Sequence, residues 1–385
     1  MQRYTLVLAT VLLIVTCKSE PELKSNPQAK SNISFPAANP GSVGIAPDSL
    51  VRISNLMNHW VSDSVVVGAE VLIIKNSHTA YHETFGLRNL EAGLPFEKNT
   101  VCEIKSMTKP VVGMAIFMLE EANKLKLSDK ISDHLELFNT EKSKDITIYQ
   151  MLTHTAGFGN YPGPLPNYST LEQMVVEIAE KGPEYPIGPY RYSSADVAAL
   201  GYLIQVLSGI SVEEFIQTKI LNPLEMHETY FNYQTASAHP RFGPVYSKKD
   251  GSFNPDEYSS QVKIFRGGGG LFSTTTDYAK FLSYWMNSQQ KVEQQLISAE
   301  NVRTALTPTD QNPGYACLWQ IFEHSTSSPL PEFGHRGSLG TVGWAFPDQD
   351  LLVLYYVQTA DGFSAISKRN QSLRNLVVNV LGIRE

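Results

Sequence analysis

The placement of strand-like runs constrains this chain more than any other feature. Val65 to Ile74 and Thr79 to Phe85 read as two strands around a turn at Asn76 and Ser77. Strand patterns return late, at Tyr315 to Phe322, Phe333 to Phe346 and Leu351 to Gln358. Between them, from Met107 to about Met226, the pattern is mostly helical, as in Pro110 to Glu121, Leu171 to Glu180 and Ala195 to Leu207. Ile53, Leu56, Met57 and Trp60 recur at helical spacing before the first strand, and a helix from about Ser364 to Leu381 follows the last one. This order predicts an α/β fold of the α+β kind: an antiparallel sheet built from both chain ends, flanked by helices, with a mainly helical region inserted at about 110–230. The alternation required by a doubly wound parallel sheet is missing. Gly267 to Gly270 does not revive a nucleotide fold, because no Gly-Lys-Ser/Thr follows. The run reads as structural, leading through Ser273 to Asp277 into a helix over Tyr278 to Met286.

The first residues point out of the cytoplasm. Arg3, an apolar run from Leu6 to Val15, then Thr16 and Cys17 make a segment too short to span a bilayer, as expected of a signal peptide over 1–16. Ile14-Val15-Thr16-Cys17 resembles a bacterial lipobox, so Cys17 is the expected lipidation site and the membrane a partner through that anchor; plain secretion is the alternative. Residues 17–46, rich in Ser, Pro, Asn, Lys and Glu up to about residue 46, read as a tether to a domain over 47–385. The expected location is the periplasm or the cell surface. A net charge of −7 without clustered Lys and Arg argues against nucleic acid. No Cys cluster or HExxH motif is present, so neither metal nor cofactor is expected, and Cys102 and Cys317 cannot be paired from sequence.

Chemistry enters at Ser106-Met107-Thr108-Lys109. An S-x-x-K spacing places a hydroxyl and an amine on one face of a helix, but the same spelling occurs at Ser260 to Lys263 and Ser288 to Lys291. The first is distinguished by its setting. It follows an extended segment, Thr100 to Ile104, and opens a long apolar helix, where backbone N–H groups and the helix dipole stabilise negative charge. Pro110 fits near a helix start, although it disfavours helical geometry at Lys109. Gly157 to Tyr168 reads as an ordered loop of the kind that walls active sites.

Further motifs follow in order: Met151 to Phe158, Tyr192-Ser193-Ser194, Gly267 to Phe272, His335-Arg336-Gly337, then Gly340-Thr341 and Trp344. With Ser106 to Pro110, they make the chain, over roughly 48 to 382, resemble the serine β-lactamase and penicillin-binding-protein superfamily. The specific likeness is to its class C-like branch, which includes family VIII carboxylesterases and D-amino peptidases. The resemblance implies Ser106 as nucleophile, Lys109 as its activating partner and Tyr192 as a proton-transfer residue. Tyr258-Ser259-Ser260 has the same spelling as the Tyr192 motif but lacks the helix that follows Tyr192. Ser194 stands where the family has Asn; with one donor and a shorter reach, it weakens the amide readings relative to esters. His335 replaces the Lys of Lys-Thr-Gly, as in related esterases. Gly337 is expected to admit substrate close to the strand, and the N–H groups of Ser106 and Ser338 to form an oxyanion hole. Arg336 is either a solvated neighbour or a grip for a substrate carboxylate, and His154 is expected to be structural. The implied reaction is acyl-enzyme hydrolysis of a small-molecule ester or amide. A carboxylesterase comes first, a β-lactamase or D-amino peptidase second, and a weakly catalytic acyl-accepting sensor third.

Overall fold

The computed structural model of the chain describes residues 33–287, 295–323 and 328–383. The expected leader over 1–16, Cys17, the first part of the tether and the S-x-x-K spelling at Ser288 to Lys291 lie outside these residues.

Among the described residues the strands are β1 (Gly68–Lys75), β2 (His78–Asn89), β3 (Leu94–Pro95), β4 (Cys102–Glu103), β5 (Tyr246–Lys249), β6 (Ser252–Pro255), β7 (Phe272–Ser273), β8 (Gln320–Glu323), β9 (Glu332–Arg336), β10 (Val342–Phe346), β11 (Leu351–Val357) and β12 (Thr359–Ala360). Seven form one antiparallel sheet in the order β3-β2-β1-β11-β10-β9-β8. The two chain ends meet at its centre, where β1 pairs with β11 from Ala69↔Val357 to Lys75↔Leu351. The β1–β2 hairpin turns at Asn76 and Ser77, both at positive φ, the conformation that matches the twist of flanking strands.

Both faces of the sheet are covered. Val71 and Ile73 of β1, with Val353 and Tyr355 of β11, join one core with Leu50, Ile53, Met57 and Trp60 of the Pro47–Ser62 helix and Leu373 and Val377 of the Phe363–Val380 helix. Their neighbours Leu72, Ile74, Leu352 and Leu354 point into a larger core shared with the Lys109–Glu121, Ser194–Ser208 and Thr275–Asn287 helices. The period-2 alternation therefore feeds two hydrophobic cores, each fully buried aliphatic side chain contributing about 1.5–3 kcal/mol.

Two expected strands differ. Tyr315 to Phe322 is extended only at Gln320–Glu323. Its apolar part folds inward, with Leu318 at φ 60 and its N–H donating to the Leu152 carbonyl at 2.9 Å. Phe333 to Phe346 is not one strand but the β9–β10 hairpin, folded where the Gly337 N–H donates to the Thr341 carbonyl at 2.8 Å.

Candidate active site

Ser106 lies in a 3₁₀ turn, Lys105–Thr108, that runs directly into the Lys109–Glu121 helix. In a 3₁₀ turn residues three apart eclipse one another, which places the Lys109 ammonium beside the Ser106 hydroxyl while Pro110 takes the first helical turn. The turn is held on several sides. β4 pairs with β7, the Ile104 N–H donates to the Leu271 carbonyl at 3.0 Å, the Leu271 N–H to Thr108 Oγ1 at 3.2 Å, and the Tyr278 hydroxyl to the Met107 carbonyl at 2.9 Å.

Lys109 is fully buried, its Nζ 2.8 Å from the Gly268 carbonyl oxygen and 3.5 Å from Ser106 Oγ. Burial first, then the charge of Arg266, lower its pKa to about 7, against an opposing pull from Asp196. The ring of Tyr192 lies under Nζ at 4.8 Å from its centroid, and its hydroxyl engages Ser106. The Tyr192 residue is 37% exposed, yet its hydroxyl end is enclosed, and that burial raises the phenol above its ordinary value. The Ser106 hydroxyl, the Lys109 amine and the Tyr192 phenol thus share one site. By contrast, Ser260 is exposed and donates to the Glu257 carbonyl, Lys263 is exposed, and the Tyr258 hydroxyl accepts from the Leu165 N–H.

The third side is β9. His335 is buried; its Nδ1 donates to the Arg336 carbonyl at 2.9 Å and its Nε2 faces the Tyr315 hydroxyl at 3.3 Å. Burial and the Lys109 charge lower its pKa to about 3, so it is a neutral imidazole at physiological pH. Gly337 is tight against protein: a Cβ there would stand 2.5 Å from the Ile104 carbonyl oxygen and would run into the Thr341 hydroxyl. The glycine lets β9 approach the Ser106 turn, and this protein contact is a structural reason for it distinct from the expected approach of substrate. Ser338 is exposed at the hairpin tip, while half-buried Arg336 donates from Nε to Gln320 Oε1 at 3.1 Å. Ser194 is the first residue of the Ser194–Ser208 helix, capped by Ser193, and it lies beside the buried Tyr161 hydroxyl.

Some neighbours were not legible as site residues. His154 is fully buried; its Nδ1 is 2.9 Å from Asp196 Oδ2, its ring packs on Tyr192 and Tyr315 with centroids 4.9 and 5.1 Å apart, and Nε2 has no hydrogen-bond partner among the described residues. Burial drives His154 down and Asp196 up, toward neutral forms. His154 therefore packs the site as well as the fold. The Gly268 carbonyl belongs to the Gly267 to Gly270 run that reads as structural from sequence, with Arg266 just before it, and the pairing of β4 with β7 together with the hydrogen bonds of Leu271 to Ile104 and Thr108 brings that run to Lys109. Cys102 and Cys317 are both free and buried.

Comparison with known proteins agrees with this architecture. The chain is 27% identical over 298 residues to Protein flp of Staphylococcus aureus, spanning 71% of this chain and 56% of that protein. Among solved structures, EstCE1, described as a hydrolase with promiscuous acyltransferase activity, superposes with a TM-score of 0.73 at 19% identity over 86% of this chain and 98% of that one. The octameric penicillin-binding protein homologue from Pyrococcus abyssi gives 0.71 at 23% identity over 86% and 77%. The Beta-lactamase family model matches residues 53–375, and the chain belongs to that family.

Proposed function

We propose that the protein is a metal-independent serine hydrolase that works through an acyl-enzyme on Ser106, acting as a carboxylesterase on small or short-acyl esters. The observation that carries this reading is the fully buried Lys109, with Nζ between Ser106 Oγ and the Gly268 carbonyl and a pKa of about 7. About half of such amines are free bases at neutral pH, able to accept the hydroxyl proton.

The chemistry runs in two halves. Ser106 Oγ attacks the ester carbonyl as its proton passes to Lys109, directly or through Tyr192. The N–H groups of Ser106 and Ser338 hold the oxyanion, a donor of this kind being worth about 3–4 kcal/mol in the transition state. The alcohol departs with the proton. Water then attacks the acyl carbon, gives its proton to the same Lys109–Tyr192 pair, and Ser106 is restored. The 3.5 Å separation of Nζ and Oγ is that of a resting site, which tightens once substrate fills it. Neutral His335 serves as a hydrogen-bonding wall rather than a charge, and in this reading Arg336, beside Gln320, grips a carboxylate on substrates that carry one. Ser194, beside Tyr161, lacks the reach of an amide and favours esters over amides. Residues 1–16 act as a leader, Cys17 carries a lipid anchor, and the 47–385 domain works outside the cytoplasm, in the periplasm or at the cell surface.

Amide hydrolysis is the second reading, because the P. abyssi neighbour is a penicillin-binding protein homologue. Purified protein lacking residues 1–17 is assayed against a short-chain p-nitrophenyl ester, a chromogenic cephalosporin and a D-Ala-D-Ala peptide, with Ser106→Ala alongside. Ester turnover that disappears in Ser106→Ala is the expected result. Undiminished turnover by that variant removes the nucleophile, and rapid cephalosporin turnover without ester turnover reverses the substrate order. Covalent labelling by a fluorophosphonate without turnover of any substrate points to a sensor.

A further inference from the structure

The Gly267–Gly270 turn separates two buried cations. On one side is Lys109: a Cβ on Gly268 would stand 3.1 Å from its Nζ and 2.6 Å from the Tyr161 hydroxyl. On the other is Arg266: a Cβ on Gly269 would lie 3.2 Å from its Nη2, and one on Gly270 3.4 Å from its Nη1. Arg266 is 7% exposed and held by Glu103, Nη2 to Oε1 3.4 Å. Glu103 also takes Lys105 Nζ at 2.8 Å and the Ser259 hydroxyl, and Lys105 Nζ donates to Ser259 Oγ at 3.0 Å. This cluster therefore joins two cations to one shared carboxylate, with Asp256 acting on Lys105 from its edge, and leaves Arg266 behind a turn with no side chains to screen it.

We propose that Arg266, clamped by Glu103 behind the glycine turn, is an electrostatic positioning residue that adds to burial in holding Lys109 in its proton-accepting form. The inference rests on the reading of Ser106 and Lys109 given above. Two cations separated by little more than backbone in a poorly solvated interior repel, and the one that can lose its proton, the lysine, does so. The other groups around Lys109 do not supply this push. Ser106, Tyr192 and Tyr161 are neutral hydroxyls, His335 and His154 are neutral imidazoles, and Asp196 acts in the opposite direction. Gly268 and Gly269 follow from the same need, since a side chain at either would push the turn away from one cation or the other, whereas Gly267 is required by its approach to the Val197 carbonyl.

The test reads nucleophile activation without requiring a known substrate: the rate of covalent labelling of Ser106 by a fluorophosphonate, from pH 5 to 10. Removing the neighbouring cation raises the Lys109 pKa, so Arg266→Gln is expected to move the midpoint of the acid limb upward by about one pH unit, roughly a tenfold slower rate below it. Arg266→Lys keeps the charge and the wild-type midpoint. Glu103→Gln removes the compensating carboxylate and moves the midpoint downward. Thermal melts of each variant run alongside; a variant slowed only by loose packing loses rate equally at every pH. An Arg266→Gln profile that overlays wild type, or an Arg266→Lys profile displaced as far as Arg266→Gln, overturns the proposal while leaving Ser106 as nucleophile. Wild-type protein that takes no label at Ser106 overturns the underlying reading and this inference with it.

Discussion

Burying an amine is costly, and Lys109 carries that cost in the native state. Its pKa falls from 10.5 to about 7, equivalent to on the order of 5 kcal/mol. The unfolded chain keeps this proton up to its ordinary pKa, whereas the folded chain releases it above about 7. The penalty is therefore complete below neutrality, and stability climbs as pH rises between the two values. Lys109→Met, of similar length and without charge, is expected to raise stability at pH 7 by about 2–4 kcal/mol, allowing for the lost hydrogen bond to Gly268, and to abolish hydrolysis. Denaturant melts at pH 7 and pH 10 check the sign: the gain shrinks at the higher pH, and a gain equal at both means that Lys109 stays charged in the fold. Tyr192 is the complementary case, a group whose burial keeps it protonated. Tyr192→Phe removes only the hydroxyl that engages Ser106, and kcat is expected to fall by about 10²- to 10⁴-fold with KM little changed. A larger rise in KM than fall in kcat assigns the hydroxyl to binding.

At the scale of elements, the site depends on how closely three segments approach: the Ser106 turn, the glycine turn before β7, and the β9–β10 hairpin. Gly337 sets the last of these. In Gly337→Ala the new methyl meets the Ile104 carbonyl two residues before the nucleophile, so β9 must withdraw. Overpacking of this kind costs about 1–3 kcal/mol of stability, and displacing Ser338, the proposed oxyanion donor, is expected to cost at least tenfold in kcat/KM. Activity retained in a destabilised protein separates a packing glycine from a site glycine. These approaches also mark where the sequence stops being readable. Val71 to Ile74 and Leu351 to Val357 are legible as strands because each face of the sheet has its own core, which makes each run continuously apolar. The apolar stretch from Tyr315 to Trp319 looks like another strand, yet it is a loop buried among helices, and periodicity does not distinguish the two. The Ser106 spelling is recognisable because local geometry, a 3₁₀ turn feeding a helix, makes it. Arg266 is silent because its position near Lys109 and against Glu103 comes from contacts between distant parts of the chain, the β4–β7 pairing among them. Gly337 is legible as a glycine that matters, while the reason, an approach to Ile104, is not.

At the scale of the molecule, the central strands tie the two cores together. Val71 and Ile73 of β1 and Val353 of β11 face the terminal helices, and Leu72, Ile74 and Leu354 face the helical region. Neither core can open without stripping side chains from strands that the other needs. Although chains of this length often unfold in stages, the described fold is expected to unfold in one transition. The tryptophans report on this directly: Trp60 and Trp344 lie in the terminal-helix core, Trp285 and Trp319 in the helical one. A variant keeping only the first pair and another keeping only the second should each show fluorescence midpoints in urea that coincide with its own far-UV dichroism. Leu354→Ala, which opens a cavity on the helical side alone, is then expected to lower the midpoint of both reporters together, by about 2–5 kcal/mol of stability. A Leu354→Ala protein in which the Trp285 and Trp319 signal melts first, leaving the Trp60 and Trp344 signal in place, would show that the helical region is a separate folding unit. Ser106, whose turn belongs to the helical core, would then depend on that unit alone rather than on the meeting of the two chain ends.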